Sequence, residues 1–135
     1  MSGTPKTRVL VVDDEPSILL EIAGTLKRYY DVLTATNAED AERILASERV
    51  DLLLTDLRLP GKDGLALLEA AKAAVPDLPV VLLSGHGTIE EAVKAIRLGA
   101  ADFLEKPFGP ERLQVTAERA LELRALRREN ERLRE

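Results

Sequence analysis

No cysteine occurs among the 135 residues, so disulfides and thiolate metal sites are excluded. No apolar run approaches the roughly 18 residues that a membrane-spanning helix needs. The start carries no signal-peptide pattern. Basic charge is not in excess either. The net charge of −5 argues against nucleic acid as a direct partner of this segment. There is no internal repeat, no low-complexity segment and no glycine-rich phosphate loop to hold a nucleotide. These absences predict a cytosolic, cytoplasmic protein without membrane contact. What remains is a chain of single-domain length, 45% hydrophobic, long enough to bury a core. Residues 1–6 read as a disordered lead-in.

Four short apolar runs end in polar groups. Val9-Leu10-Val11-Val12 ends in Asp13 and Asp14, and Leu53-Leu54-Thr55 ends in Asp56. Val80-Val81-Leu82-Leu83 ends in Ser84, and Ala101-Asp102-Phe103-Leu104 leads to Lys106-Pro107. Val9–Val12 is continuously apolar, which suits a strand buried on both faces of a parallel sheet. Val32–Ala35 and Val50–Thr55 read as two more strands.

Helices alternate with them. Pro16 suits a first helical turn, and Ile18, Leu19, Ile22 and Leu26 share one apolar face. Asn37 caps a helix that buries Ala41, Ile44 and Leu45. Asp63 caps a third through Leu65, Leu68 and Ala71. Thr88-Ile89-Glu90-Glu91 fits a capping box, with Ile89, Ala92, Val93 and Ile96 expected on the buried face and Gly99 at the stop. Gly109-Pro110 opens the last helix. This pattern predicts an α/β fold: a doubly wound five-stranded parallel sheet of flavodoxin-like order 2-1-3-4-5, with an extended C-terminal helix.

In such sheets ligands bind beyond the carboxyl ends of the strands. All the polar groups named above fall there. Singly, each has a bland reading: Asp13 or Asp14 as a helix cap, Asp56 as a turn residue, Lys106 as a solvated amine. Jointly, three carboxylates at one edge repel one another, and a hard divalent cation relieves this. Mg²⁺ with a carboxylate nucleophile, cations and a hydroxyl is the equipment of phosphoryl transfer. With no base poised on a substrate, the chemistry reads as phosphorylation of the protein itself.

Val-Asp-Asp-Glu, Leu-Leu-Thr-Asp-Leu-Arg-Leu-Pro-Gly-Lys-Asp-Gly, Leu-Leu-Ser-Gly and Phe-Leu-Glu-Lys-Pro-Phe together resemble the receiver domain of two-component response regulators. The resemblance covers residues 7–122. It implies a signalling domain, not a conventional enzyme, that catalyses its own phosphorylation and dephosphorylation. The phosphoacceptor would be Asp56. Asp14 would bind Mg²⁺ directly, Asp13 through water, and the Arg58 main-chain carbonyl would complete the protein ligands. Ser84 and Lys106 would hold the phosphoryl oxygens, Pro107 would follow a cis bond, and Phe103 would be the switch aromatic that turns inward with Ser84. His86, the single histidine, reads as a solvated loop residue, with tuning of dephosphorylation alongside Arg58 as its functional alternative. The donor implied is a phosphohistidine on a sensor histidine kinase.

The last helix outruns the domain. Leu113, Ala117 and Ala120 suit packing on the sheet, whereas Leu123, Leu126, Asn130 and Leu133 space as a heptad seam with Asn at an a position. Residues 123–135 therefore read as a coiled-coil linker that makes a homodimer. The seam breaks off at Glu135, which predicts further chain. Ser-Gly-His-Gly-Thr and the Leu-Arg-Arg-Glu-Asn-Glu-Arg-Leu tail also resemble the nitrogen regulatory protein C group. There a similar helix leads to an ATPase acting on sigma-54 polymerase and then to a DNA-binding domain. The alternative is a stand-alone phosphorelay receiver without output domain, which has no use for the seam. A small phosphatase using Asp56 is disfavoured because Arg58 stands where such enzymes place a second Asp.

Overall fold

The computed structural model describes residues 6–134, without the side chain of Arg134; residues 1–5 of the expected lead-in lie outside it. Five strands, β1 (Arg8–Val12), β2 (Asp31–Ala35), β3 (Leu52–Asp56), β4 (Val80–Ser84) and β5 (Asp102–Glu105), alternate with five helices. The helices are α1 (Pro16–Leu26), α2 (Ala38–Ser47), α3 (Gly64–Ala74), α4 (Ile89–Arg97) and α5 (Pro110–Arg134). The sheet runs β2-β1-β3-β4-β5 with every pair parallel, as the alternation predicts. The third strand starts two residues later than its apolar run and includes Asp56 itself.

The apolar runs become central strands because both faces are covered. Residues Val9 to Val12 are completely buried. Leu10 and Val12 pack with Leu53 and Leu82 under α2, α3 and the Ala95 face of α4. Val9 and Val11 pack with Leu54 and Leu83 under α1 and α5. Each such aliphatic side chain contributes about 1.5–3 kcal/mol by leaving water. Asn37 and Asp63 cap α2 and α3 as the sequence suggests, each accepting a backbone N–H of its helix.

Helix α4 departs from expectation. The Thr88–Glu91 capping box forms, but Ile89, Val93 and Ile96 face solvent and the buried residue is Ala95. Both faces fit a helical period, so spacing alone did not choose between them. The Glu91 carboxylate reaches back to its cap and also meets Arg58 at 2.9 Å. The small Ala95 takes the contact with the sheet.

Helix α5 is continuous through residues 122 and 123. Its Leu113, Ala117 and Ala120 are buried, whereas Leu123, Leu126 and Leu133 are 42%, 65% and 74% exposed. Asn130 is exposed as well.

Candidate functional site at the carboxyl edge of the sheet

Parallel pairing sets the strand ends side by side. Asp56 is in register with Leu83, so Ser84 lies one residue beyond it on the adjacent strand. Ser84 is in register with Glu105, and its carbonyl accepts the Lys106 amide at 2.7 Å. The Lys106–Pro107 peptide is cis. At the end of β1, Asp13 is fully buried and Asp14 exposed. Carboxylate oxygens of Asp13, Asp14 and Asp56 all lie within 4.8 Å of one another. The acids, the hydroxyl and the amine are thus brought to one place.

The approach of α3 to β3 depends on Gly64. A Cβ there would sit 2.3 Å from the Asp56 carbonyl oxygen, and the Gly64 amide donates to the Leu57 carbonyl at 2.9 Å. The backbone behind Asp56 is therefore clamped. In front, one carboxylate oxygen of Asp56 accepts the Arg58 amide at 3.3 Å and the other accepts Lys106 Nζ at 3.3 Å. Lys106 Nζ also donates to Asp13 at 2.8 Å. The second oxygen of Asp13 accepts the amide of Glu15 at 3.0 Å; Glu15 is the N-cap of α1, which has no side-chain cap, so Asp13 does not fill the capping role of its bland reading.

One lysine faces three carboxylates. Burial and then the charge of Asp13 push the Asp56 pKa up, against the opposing pull of Lys106 and the Arg58 amide. Burial pulls Lys106 down, but the hydrogen bond and charge of Asp13, with Asp56, leave its pKa raised. The amine stays protonated and still does not balance the acids. Clustered oxygen donors short of positive charge fit a hard divalent cation. Ser84 Oγ is buried without a hydrogen-bond partner, alone in this among the described residues. A buried hydroxyl without a partner costs free energy, which a further acceptor placed at this edge would relieve.

The Phe103 ring is half-buried and packs against the core beside Ser84. His86 is exposed, and the Arg58 guanidinium turns away to Glu91. Beside Lys106 an apolar hollow of about 420 Å³ opens between α1 and the β5–α5 loop, lined by Ile18, Ile22, Phe108 and Leu113.

A second charged cluster, absent from the sequence reading, lies at the amino edge. Arg124 is buried and donates to the Asp51 carbonyl at 3.1 Å and to Asp77 at 3.1 Å. Arg128 meets Asp77 at 2.6 Å, while Asp51 accepts the Arg8 amide at 2.8 Å and pairs with Arg49. Continuing the Leu113, Ala117, Ala120 face by four residues reaches Arg124 and then Arg128, a signal that was available.

A doubly wound sheet with this acidic edge defines a phosphoacceptor type of signalling domain, and comparison with known proteins agrees. The chain belongs to the response regulator receiver domain family, whose model matches residues 9–118. Relatives it matches include NtrX-type, DctD and PilR regulators. It is 49% identical over 124 residues to the nitrogen assimilation regulatory protein NtrX of Azorhizobium caulinodans, covering 90% of this chain and 27% of that protein. It is 40% identical to the C4-dicarboxylate transport transcriptional regulatory protein DctD of Rhizobium meliloti, covering 99% of this chain and 29% of that one. The crystal structure of NtrX from Brucella abortus in complex with ADP superposes with a TM-score of 0.90 at 46% identity, over 95% of this chain and 30% of that one. The crystal structure of the receiver domain of that protein gives 0.80 at 49% identity, over 84% and 98%. The chain thus spans less than a third of these curated relatives.

Proposed function

We propose that this segment accepts a phosphoryl group on Asp56 from a phosphohistidine of a sensor histidine kinase in the cytoplasm. The observation that carries this is the unbalanced edge: three carboxylates, one lysine and the unpartnered Ser84 hydroxyl. An Asp56 carboxylate oxygen attacks phosphorus. A P–O bond forms as the P–N bond breaks, and the electron pair stays on the imidazole nitrogen, which takes up a proton. Water attack on phosphorus later releases phosphate and restores the carboxylate. Mg²⁺, held by Asp14, Asp56 and the Arg58 main-chain carbonyl with Asp13 through water, would neutralise charge on the phosphoryl oxygens. Lys106 trades a carboxylate partner for a phosphoryl oxygen. Ser84 donates its hydroxyl to another, and Phe103 follows it inward. The apolar hollow beside Lys106 offers the donor a surface at that edge.

The seam Leu123, Leu126, Asn130 and Leu133 points away from its own domain and pairs with a second copy. Residues 7–122 are then the receiver and 123–135 a dimerising linker. In the whole protein this linker restrains or releases an output ATPase and DNA-binding unit of the sigma-54 activator class.

The test is the intact mass after incubation with acetyl phosphate and Mg²⁺. One phosphoryl group is expected on the parent chain and none on Asp56→Ala. An adduct on both, or on neither with beryllofluoride also failing to bind, would refute the assignment.

A further inference from the structure

We propose that Gly87 is a positioning residue of the switch: its missing Cβ leaves the space in which the Phe103 ring and the Ser84 hydroxyl lie together. The inference rests on the reading of Asp56 as phosphoacceptor. A Cβ built on Gly87 would stand 2.7 Å from Phe103 Cζ, 2.7 Å from Ser84 Oγ and 3.1 Å from Ser84 Cβ. Real Cβ atoms do not approach so closely, so both side chains must shift.

The local backbone does not ask for glycine. Among the described residues the positive-φ glycines are Gly61 and Gly99, not Gly87. The requirement comes from the two side chains that respond to phosphorylation. Gly64 differs instructively, because its Cβ would strike the backbone of β3. A substitution there attacks the fold. At Gly87 the obstructed atoms all belong to side chains, the tip of a half-buried ring, a hydroxyl that no hydrogen bond holds and, less closely, Ser84 Cβ, so relief comes from side-chain movement. Gly85, two residues earlier, would bring its Cβ only to ordinary contact with Lys106, at 3.9 Å.

The position also explains how a movement at Ser84 reaches α4. Gly87 directly precedes Thr88, whose side chain accepts the Glu91 amide at 3.1 Å and caps the helix. A ring pressed against Gly87 therefore bears on the cap of α4 with one peptide between. Filling the space with a methyl group separates ring and hydroxyl before any phosphoryl group arrives.

The experiment uses the full chain labelled with ring-¹³C phenylalanine, which has two reporters, Phe103 and Phe108. Beryllofluoride with Mg²⁺ is titrated into the parent, Gly85→Ala and Gly87→Ala, and the Phe103 ring signal gives both its environment and the affinity. The parent and Gly85→Ala are expected to shift alike. Gly87→Ala is expected to show a displaced Phe103 signal before any addition and roughly tenfold weaker beryllofluoride binding, the scale of one overpacked methyl group. If the parent responds and Gly87→Ala matches Gly85→Ala, the role of Gly87 is overturned while the phosphoryl site stands. If the parent itself does not respond, the site reading fails and takes this inference with it. Should Gly87→Ala fold poorly, Gly87→Ala/Phe103→Leu removes the ring tip. Recovery of folding supports the contact, and equal misfolding overturns it.

Discussion

The two ends of the sheet carry similar charges and handle them in opposite ways. At the amino edge Asp51 and Asp77 are met by Arg124, Arg128, Arg49 and the Arg8 amide. At the carboxyl edge three aspartates cluster, and the one lysine, Lys106, meets only Asp13 and Asp56. The pKa directions follow. Arg128 and Arg124 lower Asp77 to about 2, whereas burial and Asp13 raise Asp56. A satisfied cluster fastens α5 to the loops before β3 and β4. An unsatisfied one holds repulsion that a cation and a phosphoryl group relieve. Charge balance, rather than charge density, separates the structural end from the working end.

The contrast can be broken at its weakest point. Lys106→Met leaves the fully buried Asp13 without its cation, a loss of about 3–5 kcal/mol, and added Mg²⁺ should restore part of the lost Tm. Arg124→Met keeps most of the packing but takes one cation from each of Asp51 and Asp77, leaving Arg49 on the first. Since Asp77 is 39% exposed and keeps Arg128, the expected cost is smaller, about 2 kcal/mol by thermal unfolding, with no recovery on adding Mg²⁺. Removing an acid should act with opposite sign at the two ends. Asp56→Ala relieves repulsion and should raise Tm by about 2–5 °C. Asp77→Asn should lower it.

The smallest effect is in pH. A carboxyl whose folded pKa is depressed contributes stability above its unfolded value and loses it as pH falls through the folded one. For Asp77 that window runs from its usual 3.8 down to about 2. Acid unfolding curves of the parent and Asp77→Asn should therefore converge as pH falls across this window. Curves that stay parallel would remove Asp77 from the account.

The sheet order was legible because continuous apolar runs such as Val9–Val12 have one stable home, a strand covered on both faces. The carboxyl-edge residues were legible because each stands at the end of such a run. The orientation of α4 was not: Ile89, Val93 and Ile96 form as good a stripe as the Ala95 face, and helical spacing alone does not decide between them. For Arg124 the helical spacing gave its face but not its partners. An arginine between Leu123 and Leu126 reads as solvated until Asp51 and Asp77 arrive from distant loops. The place of Gly87 has no local signal in the sequence, because the demand on it comes through space from Phe103 and Ser84.

The most direct test of the imbalance is thermal unfolding of the parent and of Asp14→Asn with and without millimolar Mg²⁺ at matched ionic strength. A ligand that binds only the folded state raises Tm by mass action. A clear rise is expected for the parent and little or none for Asp14→Asn. An unchanged Tm in the parent, or an equal rise in both chains, would contradict the imbalance.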